Sequence, residues 1–368
     1  MSAPSVGPEE LKLVTEAIES GWISSRGPFL TEFESAFARY VRGREGVATT
    51  SGTTALHLAF AALRIKPGDE VIVPDFTIVA CANAVLYGGA TPVFADVDPI
   101  TWTLDPADVE RKITRRTKAI MPVHLYGHPA DMDPLRRLAR ERGLAVVEDA
   151  AEAHGALYRG TPVGSIGTAG CFSFYSNKIL TTGEGGMVVT RSKALADRAR
   201  RLRDLAFAHP NRDYQHAEVA YNYRMTNVQA AIGLAQLRRI DAFVEHRRAC
   251  ARIYADRLDG IDGLTLPAEA SWARNVYWMY TVLVPGGAAR RARIARRLAA
   301  SGVESRVSFW PLHRQPFLRA GRGARGRFPV TDDLARRGLS LPSGNGITEA
   351  MAATAAEAMR QALRDGGR

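Results

Sequence analysis

Cysteine is scarce: three in 368 residues, at positions 81, 171 and 250. They are too far apart to build a disulfide scaffold, and none belongs to a CxxC pair. They are expected to be reduced, buried thiols of a cytoplasmic protein. No apolar run approaches the length needed to cross a bilayer, so no membrane span is predicted. The opening MSAPSVGPEELK has no charged stretch followed by an apolar one and is not read as a signal peptide. Internal repeats and low-complexity tails are missing as well.

What is present is an ordinary globular composition, 46% hydrophobic and 24% charged, which suits a packed core. The formal net charge of +11 comes mostly from arginine. These arginines (RRLARERG, RRARIARRLA, RGARGR) are interleaved with apolar helix positions, and no nucleic-acid-binding motif stands among them. Solvated faces account for them first and a phosphorylated small substrate second; no nucleic-acid partner is expected.

The first two thirds alternate short apolar runs with amphipathic stretches, which predicts an α/β layer architecture. Seven runs read as strands, at 45–49, 71–74, 92–96, 119–124, 145–149, 171–175 and 186–190. Helices are expected at 29–41, after a Gly-Pro, and at 131–142, with an acidic first turn, a basic last turn and Gly143 beyond. After Thr226, a candidate N-cap, one long helix is expected to run to Gly260. The remainder reads as a small α/β domain, with strands at 277–284 and 303–309 and helices at 288–300 and 348–364. Residues 319–327 read as a Gly/Arg-rich loop. The expected division is a large domain over residues 1–240 and a small one over 241–368. In an open α/β sheet, ligands bind beyond the carboxyl ends of the strands, so the chemistry is sought there.

Four segments stand out. In VVEDAAEAHGA a strand ends at Asp149, with Glu152 three residues on. A buried carboxylate needs a partner, and a protonated pyridine nitrogen is one; a plain helix cap is the alternative. In CFSFYSNKILTTGEGGMVV, Lys178 sits on a polar turn between two strands. A lysine withdrawn from bulk water has a lowered pKa and can attack an aldehyde. A solvated loop lysine is the alternative, although Ser173 before it and Gly183, Gly185 and Gly186 after it permit close backbone approach. In TTSGTTALHLA, Ser51, Gly52, Thr53 and Thr54 open a helix whose free amides form a phosphate site or merely a capped end. That segment has neither the Walker pattern nor GxGxxG. In YNYRMTNVQAAIG, Asn222 and Arg224 lie on a turn flanked by aromatics, read as buried and as an interface or anion contact; a solvated turn arginine is the alternative. His124 and His128 lack companion ligands at metal spacing, so no metal is expected. No G-x-S-x-G elbow selects a hydrolase.

These segments, together with SGWISSRGPFLTEFE, PGDEVIVPDFT, ANAVLYGGATPVFADVDPITW, MPVHLYGHPADMD and LSLPSG, resemble the DegT/StrS-type aminotransferases of nucleotide-linked sugars. The likeness covers almost the whole chain. It implies a fold-type-I architecture, with a mostly parallel seven-stranded sheet between helices and a small C-terminal domain, and pyridoxal 5'-phosphate (PLP) as cofactor. It implies Lys178 as the Schiff-base lysine, Asp149 on the pyridine nitrogen, Glu152 near the 3-hydroxyl, and Gly52, Thr53 and Ser173 on the phosphate. A homodimer with shared sites is implied, with Asn222 and Arg224 reaching the partner's site, and His313 near the sugar. The perosamine-forming branch is the nearest in motif, which implies L-glutamate as donor and GDP-4-keto-6-deoxymannose as acceptor. A 3-keto sugar or a keto-cyclitol is the alternative. A histidine in place of the lysine would mark the family's dehydratases, and the intact Lys178, Asp149 and Glu152 set weighs against a non-catalytic PLP-binding regulator. Two departures are noted: Ile78 stands where an aromatic residue often stacks on the ring, and Thr168 stands where an acid is usual. Both are expected to reshape the substrate pocket.

Overall fold

The computed structural model describes residues 4–209, 212–319 and 321–364. Ala320, within the Gly/Arg-rich segment, lies outside them. Chain order begins with helices α1 (Pro8–Glu19) and α2 (Pro28–Tyr40), then β1 (Glu45–Thr49), α3 (Gly52–Ala62), β2 (Glu70–Pro74), α4 (Ala80–Tyr87) and β3 (Thr91–Ala95). It continues with α5 (Pro106–Lys112), β4 (Thr117–Ile120), α6 (Met132–Arg142) and β5 (Ala145–Asp149). A short ribbon, β6 (Leu157–Tyr158) and β7 (Thr161–Pro162), precedes β8 (Ala169–Ser173), β9 (Gly186–Thr190) and α7 (Lys193–Arg203).

The large sheet has seven strands in the order β1-β9-β8-β5-β4-β2-β3. Only β9 runs against its neighbours; the other adjacent pairs are parallel. The strand interiors are almost wholly buried because helices cover both faces of a parallel sheet, so they read as continuous apolar runs. The topology has a direct consequence for chemistry. Thr49, Asp149 and Ser173 end their strands and Gly186 begins the antiparallel one, so all four come to one edge of the sheet.

Helix α6 ends where its sequence says it should. Gly143 adopts the left-handed conformation (φ 64°) that closes a helix without Cβ strain. The long helix expected after Thr226 is two. Thr226 does cap α8 (Asn227–Leu237), its hydroxyl accepting the Gln229 amide, but the chain breaks at Arg238–Arg239 before α9 (Ile240–Leu258). Both arginines at the break are held by the N-terminal segment: Arg238 pairs with Glu9, and Arg239 with Glu10 and the Ser5 carbonyl.

Strand β10 (Ala273–Arg274) pairs with β6. Beyond it lie β11 (Tyr280–Leu283), α10 (Gly287–Ala300), β12 (Arg306–Val307), α11 (Pro329–Arg337), β13 (Gly338–Leu341) and α12 (Glu349–Arg364). A second sheet, β11-β13-β12, is antiparallel throughout. It packs against α9, α10 and α12 through Tyr254, Val282, Leu298, Leu339 and Met359, a core of its own. The C-terminal chain is not confined to that core. Leu312, Leu318, Phe328 and Leu334 pack into the large one, and buried Asp96 accepts the Val330 and Thr331 amides at the start of α11. The strand expected at 303–309 pairs only at Arg306–Val307, because beyond it the chain turns toward the large sheet.

Candidate active site

A cavity of about 390 Å³ opens at the carboxyl edge of the large sheet, within the size range of cofactor and ligand pockets. Its wall includes Gly52, Thr53, Asp149, Glu152, Ser173 and Lys178. Six predicted residues, far apart in sequence, therefore share one space.

Gly52 and Thr53 open α3 behind the N-cap Ser51. The Ser51 hydroxyl accepts the Thr54 amide at 3.2 Å, and the Thr54 hydroxyl accepts the Ser51 amide at 2.9 Å. The capping reading is thus correct for Ser51 and Thr54. It leaves the Gly52 and Thr53 amides at the first helical positions, where no intrahelical acceptor exists. A Cβ on Gly52 would lie 2.7 Å from Ser173 Cβ, so only glycine brings this turn against the end of β8. Gly186 does the same from β9: a Cβ there would stand 2.2 Å from the Ser51 carbonyl oxygen. Amides, hydroxyls and a helix N-terminus together make a cradle of the size and polarity of a phosphate group.

Asp149 ends β5 and is buried. No helix follows it. Its Oδ1 instead accepts the Ala151 amide at 3.0 Å in a local turn, and its Oδ2 accepts the Cys81 thiol at 3.1 Å. Among the described residues no side chain forms an ion pair with it. A buried carboxylate without a cation beside it is costly, and a protonated ring nitrogen in the cavity would supply one.

Lys178 is mostly buried, its side chain 11% exposed, with Nζ 3.9 Å from Glu152 Oε1 and 3.9 Å from the centroid of Trp278. Burial lowers its pKa against the pull of Glu152 and Asp149. Burial likewise pushes Glu152 up to about 7, although Lys178 and the Tyr126 amide favour its charge. That amide donates to Glu152 Oε2 at 2.8 Å. Tyr126 is a non-glycine residue at φ 54°, a conformation that costs energy and here aims the N–H at the carboxylate.

Sequence reasoning missed the aromatic wall. Tyr126 stacks on Phe309 (5.4 Å, 19°), and Trp278 lies beyond it, held by its Nε1–H on the Asn177 carbonyl at 2.8 Å. Buried Arg247 of α9 donates to the Trp278 carbonyl at 2.9 Å. No motif marks these residues; only the tertiary path of the chain brings them to Lys178. The signal for Arg247 was faint, a cation on the apolar face of a long helix.

Three predicted residues stand apart. Asn222 is exposed rather than buried; its Oδ1 accepts both Arg224 Nε–H and Nη2–H, at 3.0 and 2.9 Å, and Arg224 pairs with Asp204 at 2.8 Å. The flanking Tyr221 and Tyr223 stack on one another (4.8 Å, 7°), not over Asn222. His313 is not on the cavity wall. Its Nδ1 meets buried Asp75 at 2.5 Å and its ring stacks on Phe328. Of the two departures, Ile78 lines the cavity mouth. Thr168 does not: it is outside the cavity, and its hydroxyl accepts the Val146 amide at 3.1 Å, so its expected effect on the pocket is not met. All three cysteines are buried free thiols. No helix among the described residues is long and apolar enough to cross a membrane.

Residues 4–360 match the DegT/DnrJ/EryC1/StrS aminotransferase family. The chain belongs to that family. It is 48% identical to the GDP-perosamine synthase of Caulobacter vibrioides, over 95% of this chain and 94% of that one. It is 44% identical to the GDP-perosamine synthase of Escherichia coli O157:H7, over 92% of each chain. Among solved structures, S. venezuelae DesV in complex with a ketimine intermediate superposes with a TM-score of 0.91 at 38% identity, covering 98% of this chain and 95% of that one. This family member is a PLP-dependent aminotransferase of the fold type expected from sequence, and the cavity residues fit PLP: a phosphate cradle, a buried acid that forms no ion pair among the described residues, and a mostly buried lysine.

Proposed function

We propose that the enzyme transfers the amino group of L-glutamate to carbon 4 of GDP-4-keto-6-deoxymannose, yielding 2-oxoglutarate and GDP-perosamine, and that Lys178 is the residue that bonds the cofactor. The observation that carries the assignment of Lys178 is its buried amine, 3.9 Å from Glu152 in the cavity that Asp149, Gly52 and Ser173 also line. Bound there, PLP supplies an aldehyde that takes up amino groups and a protonated ring that accepts an electron pair.

The protein's own residues do the rest. Gly52, Thr53 and Ser173 hold the phosphate. Asp149 keeps the ring nitrogen protonated, and Glu152 serves the ring hydroxyl. The Lys178 amine would take and return the proton of the donor's α-carbon; its lowered pKa makes the neutral amine available for that role. The aromatic wall of Tyr126, Trp278 and Phe309 excludes water from the reacting atoms. Ile78, 41% exposed, covers the mouth without the stacking an aromatic would give.

In this reading the protein is a cytoplasmic homodimer. Asn222 and Arg224, outside their own cavity and preorganised by Asp204, complete the partner's site. His313 serves the sugar indirectly, by anchoring to Asp75 the segment that carries Arg306 and Phe309.

The test is turnover with L-glutamate and each of two acceptors, GDP-4-keto-6-deoxymannose and scyllo-inosose. The expected result is 2-oxoglutarate release and a 4-amino sugar from the first alone. Turnover of the cyclitol in preference would overturn the substrate assignment.

A further inference from the structure

Cys81 lies near the start of α4, fully buried, on the chain that leaves β2. Its sulfur is 3.1 Å from Asp149 Oδ2, across β4 from its own strand. We propose that Cys81 is a positioning residue for Asp149, its thiol holding the carboxylate in one rotation. The proposal rests on the reading that Asp149 serves the cofactor's ring nitrogen.

Three observations carry it. First, the two carboxylate oxygens are held by two different donors, the Ala151 amide on Oδ1 and the Cys81 thiol on Oδ2. Loss of either leaves the carboxylate free to turn about its last bond. Second, the direction of the bond is fixed. Burial and the Asp149 charge both keep the thiol protonated, so sulfur donates and oxygen accepts. The Thr77 hydroxyl, 3.5 Å from the same sulfur, is then the donor to it, which makes a short relay from Thr77 through Cys81 to Asp149. Third, a thiol is a weak donor. It orients the carboxylate while drawing off little of its negative charge, which leaves that charge for the ring nitrogen. A hydroxyl in its place would orient the group as well and withdraw more.

A buried cysteine that only fills space makes a different prediction, and three variants separate the two. Cys81→Ala removes volume and donor. Cys81→Val keeps volume and removes the donor. Cys81→Ser keeps the donor and loses volume. PLP affinity of each purified apoprotein is read from quenching of tryptophan fluorescence, and the visible absorption of each holoenzyme is followed against pH. The expected result is a PLP dissociation constant raised about tenfold in both Cys81→Ala and Cys81→Val, with a displaced pH midpoint of the visible band, and values within about threefold of the parent in Cys81→Ser. If Cys81→Ala does not fold, the Val and Ser variants carry the same comparison. A Cys81→Ser protein that behaves like Cys81→Val, or a Cys81→Val protein that matches the parent in both readouts, overturns the positioning role. Asp149→Asn is the control for the underlying reading. It must weaken PLP binding and displace the band; if it changes neither, the assignment of Asp149 fails and the role of Cys81 fails with it.

Discussion

Glu152 and Lys178 face each other at 3.9 Å with both side chains almost wholly withdrawn from water. Burial dominates their electrostatics. Glu152 is pushed up to about 7 in spite of a neighbouring ammonium, and Lys178 is pulled down in spite of a neighbouring carboxylate. Glu152 therefore changes charge near neutral pH, beside an amine whose ammonium form is weakened by burial.

The first prediction concerns stability against pH. A glutamate whose folded pKa is about 7, against an ordinary 4.5, holds its proton longer in the folded chain than in the unfolded one. Stability then falls as pH rises through that window, by at most on the order of 3 kcal/mol. The lowered pKa of Lys178 acts oppositely and at higher pH, where stability recovers toward 10.5. Thermal unfolding of the apoprotein should show Glu152→Gln gaining on the parent between pH about 5 and about 7. A difference that stays constant with pH would contradict this.

Removal of the Lys178 amine should leave the fold intact and lower kcat/KM for amino transfer by about 10³-fold or more. Lys178→Ala and Lys178→Arg should be equally inactive, because the arginine keeps a charge but has no amine to bond an aldehyde. Activity within tenfold of the parent in either would show that another group carries the reaction.

Gly52→Ala tests the cradle. The added methyl meets Ser173 Cβ at 2.7 Å, which forces the turn and the strand end apart. PLP should dissociate about tenfold more readily, with a smaller loss in the unfolded-state balance. Ser173→Ala should weaken binding less, since it removes one hydroxyl and keeps the space. Dialysis followed by cofactor release measured by absorbance checks both.

His313 offers a choice between two roles. With its ring against Asp75, His313→Ala leaves a buried carboxylate without its ring partner and should destabilise the protein by about 3 kcal/mol. Asp75→Asn in the same chain should restore part of that loss. If His313 instead touches the sugar, the single variant keeps its melting temperature and raises KM for the keto sugar alone.

The shared site can be tested without a structure of the dimer. Lys178→Ala and Arg224→Ala chains are each expected to be inactive. Mixed and reassorted, half of the dimers carry one site with both lesions and one with neither, so about a quarter of parental activity should return. No recovery would place Arg224 in its own chain's site or outside any site.

Much of the fold was legible because parallel strands buried on both faces leave unbroken apolar runs. All seven strands of the large sheet begin within two residues of their expected positions, as at 71–74 against Glu70–Pro74 and at 171–175 against Ala169–Ser173. The break at Arg238–Arg239 was not legible, since the helical pattern continues through it and the partners of both arginines, Glu9 and Glu10, are remote in sequence. In the site, residues on contiguous motifs (Asp149 with Glu152, Ser173 with Lys178) could be read. Tyr126, Trp278 and Phe309 could not, because nothing local distinguishes a cavity aromatic from a core one. Cys81 read as a reduced, buried thiol; its burial was predictable, but its bond to a carboxylate on another strand was not.

The most direct test of the account is to reduce the PLP-loaded enzyme with borohydride, digest it and map the pyridoxyl adduct by mass spectrometry. A single adduct on the peptide that contains Lys178 is the predicted result. No adduct, or one carried by another of the chain's lysines, would contradict it.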